Sequence, residues 1–278
     1  MRRLRPLLLL PLLALLPGCE AVVLSPAGDI AAQQRDLLVW SVILMLIIIV
    51  PVMALIIMFS IKYRASNKDA PYDPDWDHST HLELVIWAAP LLIIICLGAI
   101  TWSGTHLLDP YRPLDRIKEG QAVTAEVEPL QVNVVALDWK WLFIYPEYGI
   151  ATVNELAAPV DRPIRFHITS SGVMNSFYIP ALAGQIYAMP GMETKLHAVI
   201  NRPGDYVGFS ANYSGDGFSN MRFAFKGLDE AGFDQWVQTV RTSAGTLNRE
   251  HYLELEEPSE KVPALYYREV EEGLFDAV

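Results

Sequence analysis

The sequence predicts two membrane-crossing helices followed by an all-β outer domain that ends in a helix and a tail. Three observations carry that expectation. Two long uncharged apolar runs occupy much of the first 108 residues. After them, short β-rich segments alternate with Gly, Pro, Asn and Asp. Hydrophobic residues make up 52% of the 278, more than an ordinary soluble protein carries.

The N-terminus reads as a secretory signal over residues 1–18. Arg2, Arg3 and Arg5 precede a leucine-rich run too short to span a bilayer, and "LLPGCE" closes it. Cys19 directly after Gly18 resembles a bacterial lipobox, so lipidation of the Cys19 thiol is expected, with residues 19–36 as the lipidated N-terminal segment; ordinary cleavage nearby is the plainer alternative. Cys96, the other cysteine, lies inside an apolar run, which leaves no disulfide framework.

Residues 37–61 carry no charge, and residues 84–108 none beyond a neutral His106. Each run is long enough to cross the ~30 Å hydrocarbon core as a tilted helix. Pro51 and Pro90 fall inside them, which packed membrane helices tolerate. Lys and Arg flank the spans without a decisive bias, so the exported N-terminus sets the orientation: residues 37–108 form a hairpin and residues 109–278 lie outside. A two-helix hairpin leaves much apolar surface facing lipid and implies a larger membrane partner.

Beyond residue 109, "LQVNVVAL", "WKWLFIY", "PIRFHITS", "TKLHAVIN", "DYVGFSA" and "MRFAFKG" suit strands, with turns such as "NRPGD" and "SGDG" between them. That spacing predicts an antiparallel sandwich or Greek-key barrel over 109–228. Trp139 and Trp141 alternate on one predicted strand and would face one side, where packing is their expected role. "DEAGFDQWVQTVRTSAG" reads as a helix with Phe233, Trp236, Val237 and Val240 on one face, and the remainder of 229–278 as an acidic, aromatic wrap.

The outer region carries 14 Lys/Arg against 24 Asp/Glu, a formal −10, which speaks against nucleic acid as a partner. Nine of those acids lie at or after Glu250. An acidic face attracts a basic electron carrier but equally serves as solvated surface, so charge alone decides nothing.

"SANYSGDGFSNM", residues 210–221, has the spacing of a metal loop without its ligands. A dinuclear copper centre needs two bridging thiolates four residues apart, an imidazole four later and a thioether three further on, with a second imidazole from an earlier strand end. Here Ser210 and Ser214 hold the thiolate positions, Asn212 the carbonyl-donor position and Phe218 the imidazole position. Upstream, Asn175 in "GVMNSFYIP" holds the other imidazole position, and only Met221 remains, best read as core packing. His167, His197 and His251 lie elsewhere with no matching cysteine, so no metal is expected in this chain.

These residues, together with "LELVIWAAP", "LDWKWLFIYPEYGIATVNEL", "QIYAMPGM", "FDQWV" and the aromatic "VPALYY…GLF" tail, resemble subunit II of the haem–copper terminal oxidases, in their quinol-oxidising, cytochrome bo-type branch. The resemblance covers nearly the whole chain. It implies a cupredoxin-like outer domain in the periplasm and an inner-membrane location. It implies subunit I and small membrane subunits as partners, with haems and one copper in subunit I and none in this chain. Ubiquinol would be the substrate of a proton-pumping complex, with no cytochrome c. No catalytic residue is expected here. Glu83, Trp87 and Pro90 match the family's Glu-x3-Trp-x2-Pro pattern, which places Glu83 at the mouth of a proton path into subunit I; a solvated helix-end carboxylate is the plainer role. The absence of Cys after residue 96 argues against a copper-bearing cytochrome c oxidase subunit. A copper-free lipoprotein serving as an assembly or binding module is the alternative.

Overall fold

The computed structural model describes residues 21–71, 73–124 and 127–278. The expected signal segment and Cys19 lie outside the described residues. Two compact units divide the chain: Gln33–Arg112 forms one, and residues 21–32 join Pro113–Val278 in the other.

Helices α1 (Asp29–Lys62) and α2 (Thr80–Leu107) are both long and apolar enough to cross a membrane. Pro51 and Pro90 lie within them and end neither. Their apolar side chains are mostly exposed in the single chain, Trp40, Trp87 and Trp102 included. A helix apolar on all sides needs lipid or a partner around it. Gly104 permits close packing: a Cβ there would meet Leu37 Cδ1 at 2.7 Å. The predicted runs, 37–61 and 84–108, coincide with the C-terminal parts of these helices, the second ending on the cap residue Leu108. Helix α1 begins earlier than its apolar run because its first turn is rooted in the outer unit. There Asp29, 6% exposed, accepts a 2.8 Å hydrogen bond from Arg116 Nε. This bond to Asp29 raises the Arg116 pKa, and a carboxylate in a first turn also suits the helix dipole.

The outer unit opens with a short hairpin, β1 (Arg116–Lys118) and β2 (Gln121–Ala122). Ten strands follow: β3 (Leu130–Leu137), β4 (Lys140–Tyr145), β5 (Ile150–Val153), β6 (Glu155–Pro159), β7 (Ile164–Ser170), β8 (Asn175–Tyr178), β9 (Ile186–Ala188), β10 (Thr194–Ala198), β11 (Gly204–Ser210) and β12 (Arg222–Leu228). Helix α3 (Glu230–Arg241), strand β13 (Gly245–Leu247), helix α4 (Arg249–Glu256) and strand β14 (Leu265–Val270) complete the described fold. A seven-stranded sheet runs β10-β7-β3-β4-β5-β14-β13 and faces a five-stranded sheet, β6-β12-β11-β8-β9. This is the β-sandwich expected, with one difference. The pairs β3–β7, β6–β12 and β13–β14 are parallel. Between the members of each pair the chain visits the other sheet or passes a helix, the long connection a parallel neighbour requires.

The core between the sheets follows from alternation. Leu130, Val132, Val134 and Ala136 point inward from β3, and Trp141, Phe143 and Tyr145 from β4. Phe177 stacks on Phe223 at 5.5 Å and meets Trp141 edge-on at 5.3 Å. Each fully buried side chain of this size contributes about 1.5–3 kcal/mol. Tyr145 ties strands of the two sheets together: its hydroxyl donates to Ala157 O and accepts from Ala157 N, both at 2.9 Å. Helix α3 buries the predicted face, Phe233, Trp236, Val237 and Val240. Its N-cap Asp229 accepts from Gly232 N at 2.8 Å.

Glu155 sits 6% exposed where α3, β12 and β14 converge. Trp236 Nε1 and Tyr266 Oη donate to its Oε1 at 2.8 and 2.9 Å, and Lys226 Nζ lies 2.9 Å from Oε2. Burial pushes this carboxyl up, but the bonds from Trp236, Lys226 and Tyr266 outweigh it and hold the pKa below the ordinary range.

Two segments depart from the predicted boundaries. The tail is no appended wrap: β14 pairs antiparallel with β5 inside the seven-stranded sheet. A second core of Leu142, Ile144, Val153, Leu247, Tyr252 and Leu274 forms on the outer face beneath it. At the other end, residues 21–32 are part of the sandwich. Ala27 N and Gly28 N donate to Ala181 O at 2.9 and 2.8 Å, and Asn201 N donates to Ala27 O at 2.9 Å. Only glycine fits at position 28, since a Cβ would meet Val199 O at 2.6 Å and Leu182 O at 2.7 Å.

Candidate functional site

The loop from β11 to β12 is closed at its base by Ser210 N donating to Met221 O at 3.1 Å. Ala211 N donates to Ser176 O at 3.0 Å and fixes the loop to β8. The structure thereby brings Asn175 and Ser210 together across the sheet. Ser210 Oγ donates to Asn175 Oδ1 at 3.0 Å and lies 3.3 Å from Asn212 O. Asn175 Nδ2 in turn donates to Val173 O at 3.1 Å. Ser214 Oγ stands 4.0 Å from Met221 Sδ, and Met221 is buried at 1% exposure. Phe218 opens a 3-10 turn and meets Tyr213 edge-on at 5.7 Å. The structure thus joins Ser210 to Asn175 and Asn212, sets Ser214 beside the Met221 thioether, and turns the Phe218 ring to Tyr213. Among the described residues, no three His, Cys, Asp or Glu side chains gather as metal ligands.

Trp139 corrects the sequence reading. It is not on the strand with Trp141 but in the turn between β3 and β4, at φ +63°. Trp141 points into the core at 0% exposure, whereas Trp139 lies over the loop and donates from Nε1 to Ser214 O at 3.1 Å. The loop makes room for the indole with glycine, since a Cβ on Gly217 would meet the Trp139 ring at 2.4 Å and Glu260 Cγ at 2.7 Å.

Glu260 belongs to a contact that sequence reasoning missed. Residues 257–262 of the tail cross this turn and loop. Asn220 Nδ2 donates to Glu260 Oε2 at 3.1 Å. Lys140, 1% exposed, donates from Nζ to Glu257 O at 2.7 Å and to Ser259 Oγ at 2.6 Å. Burial lowers the Lys140 pKa despite the nearby Asp138 and Glu257. Asn154 adds a bond from Nδ2 to Val262 O at 2.8 Å. A buried lysine near a strand start is the signal in the sequence, but its partners lie 117 and 119 residues away.

Glu83 belongs to the other unit. It stands in the first turn of α2 with its side chain 54% exposed, and His78 Nδ1 lies 3.5 Å from its Oε1.

Two family descriptions match the chain. "Cytochrome C oxidase subunit II, periplasmic domain" covers residues 149–228, and "COX Aromatic Rich Motif" covers 241–278. Among relatives, the "Cytochrome bo(3) ubiquinol oxidase subunit 2" of Pseudomonas aeruginosa is 50% identical over 94% of this chain and 76% of its own. The "Ubiquinol oxidase subunit 2" of Acetobacter aceti is 48% identical, over 95% of this chain and 83% of its own. The subunit of the same description from Buchnera aphidicola as that of Pseudomonas is 44% identical over 98% of this chain and 91% of its own.

Proposed function

The chain belongs to the subunit 2 family of the ubiquinol oxidases, and on that premise we propose that it is the non-redox subunit II of a terminal quinol oxidase. In this reading the complex oxidises ubiquinol, reduces oxygen to water and translocates protons. Subunit I holds the haems and a copper. This chain anchors the assembly in the inner membrane through α1 and α2 and holds the cupredoxin-like domain in the periplasm, alongside small membrane subunits.

One observation carries the proposal. Ser210 and Ser214 occupy the bridging positions, Asn175 and Phe218 the imidazole positions, and Ser210 is already hydrogen-bonded to Asn175 at 3.0 Å. A serine hydroxyl keeps its proton at neutral pH and a phenyl ring has no donor pair, so this set does not fit a copper centre built on thiolate and imidazole. With no metal to receive electrons, a soluble cytochrome c has nothing to reduce here. Quinol then delivers electrons to subunit I directly. Metal analysis of the purified complex tests this. One copper per subunit I is expected, and two further coppers with thiolate absorption would overturn it.

Glu83 serves in this reading as a proton-collecting group for subunit I, supported by its place at the helix start and its exposed carboxylate. Proton collection needs a titratable group. Glu83→Ala and Glu83→Gln should both slow quinol oxidation per haem, and Glu83→Asp should retain part of the rate. Normal activity in both Gln and Ala variants would leave Glu83 a solvated helix end. Cys19 is the proposed lipid-bearing N-terminus of the mature chain, checked by mass spectrometry. Cys19→Ala should still assemble, because two spanning helices anchor more strongly than acyl chains.

A further inference from the structure

The outer face of the seven-stranded sheet is covered over only part of its area. Toward β4 and β5 the second core and the tail close it. Toward β10 the same face carries polar side chains. His197 on β10 stands directly opposite Arg165 on β7, and Lys195 opposite His167. Gln131 and Asn133 of β3 complete the two rungs, opposite Arg165 and His167.

The acids available there are unevenly shared. Glu193 Oε1 lies 2.7 Å from His167 Nδ1 and 3.7 Å from Lys195 Nζ, and His167 Nε2 is 3.2 Å from Gln131 Oε1. That rung is satisfied. The Arg165–His197 rung is not: Arg165 Nε is buried with no acceptor among the described residues. His197 is 7% exposed. Burial, then Arg165, His167 and Lys195, hold its pKa down to about 4, and the charges acting on it are all positive. A buried guanidinium N–H without an acceptor is costly, and the residues of this rung, Gln131, Arg165 and His197, include no acid to offset it. The chain tolerates this while carrying a formal net charge of −11.

We infer that the Arg165–His197 rung is a docking site for a carboxylate side chain presented by another protein subunit of the assembled complex. The inference rests on reading the chain as one subunit of a larger oxidase. A guanidinium edge donates in parallel to both oxygens of a carboxylate. His197, neutral at physiological pH, adds one N–H donor without adding charge. The neighbouring Glu193 carboxylate selects among anions: it repels a phosphate dianion more strongly than a single carboxylate. Lys195 is 46% exposed and sits beside the rung, where it steers an acidic segment inward.

A carbodiimide, which joins an amine to a neighbouring carboxylate without a spacer, tests this on the native purified complex. The expected product is an amide between Lys195 and an Asp or Glu of a different subunit, located by mass spectrometry. Arg165→Gln should lower its yield roughly ten-fold, the size of one lost charge-assisted hydrogen bond. A product confined to Lys195 and Glu193 of this chain, or no product, in a complex that keeps its haem would overturn the inference alone. If haem does not co-purify with the chain, the subunit reading and this inference fall together. Labelling of Lys195 by anionic lipid in place of protein would also overturn it.

Discussion

Two buried polar clusters in the outer unit are built on opposite terms. Around Glu155, one ionised carboxylate takes bonds from Trp236, Tyr266 and Lys226 and ties α3, β12 and β14 to β6. Around Ser210, neutral groups share weaker bonds with Asn175 and Asn212 over a thioether. The first cluster joins elements distant in sequence and brings its own charge. The second cluster carries no charged side chain, and its Ser210 hydroxyl is held by Asn175 and Asn212. A buried charge costs several kcal/mol if a partner is lost, whereas neutral bonds contribute about 1 kcal/mol each. The sandwich therefore concentrates its dependence on Glu155 and leaves the loop tolerant.

The sharpest way to break this contrast is Glu155→Ala. It strands two buried donors and should cost about 3–5 kcal/mol in urea unfolding of the purified chain. The same site sets a pH signature. Because the folded pKa is depressed, its contribution is complete above the unfolded value, about 4.3, and is lost as pH falls through the folded value. Glu155→Gln should flatten that acid limb; an unchanged limb would assign it to other carboxylates. Next in size is Lys140→Met, which keeps the volume and removes the donor to the tail. It should cost about 2 kcal/mol and speed amide exchange across residues 257–262 while β3 and β7 stay protected. Ser210→Ala leaves the Asn175 amide oxygen short of a donor and should cost about 1–2 kcal/mol by thermal denaturation. A loss as large as that of Glu155→Ala would erase the distinction between the clusters. Met221→Leu should be the mildest, under about 1.5 kcal/mol, because it conserves volume. A larger loss, or a changed metal content, would mean the sulfur does more than pack.

Much of the fold was legible because period and composition were loud. The uncharged runs gave both helices, alternation gave β3, β7, β10, β11 and β12, and the aromatic and β-branched residues of "WKWLFIY" gave β4. Strands β5 and β6, "IATV" and "ELAAP", were quieter: all nine residues are buried, so alternation is absent, and the small residues carry little β-propensity. Strand β14 was unreadable as a strand of this sheet because its partner β5 lies more than a hundred residues earlier. Trp139 was misplaced because a hairpin turn fell inside a run that looked continuous; the αL conformation of a bulky residue has no sequence signal here. At the site, spacing marked Asn175 and five positions of residues 210–221, but which of them touch depends on the pairing of β8 with β11. The hold of the tail on Lys140 and Asn220 depends on tertiary packing alone.

The seat of Gly28 has a consequence for the order in which the molecule is made. Arg202 reaches Ser25 O across 177 residues, and Gly28 pairs with Ile200. A ribosome delivers the N-terminal strap early and its socket, formed by residues 181–202, much later. The strap must wait, undocked, while helices α1 and α2 and most of the sandwich are synthesised. Loop closure over such a separation is slow relative to local pairing. The first residues of the described chain therefore cannot settle until residues 181–202 have been delivered, although strands β11 to β14 are still to come.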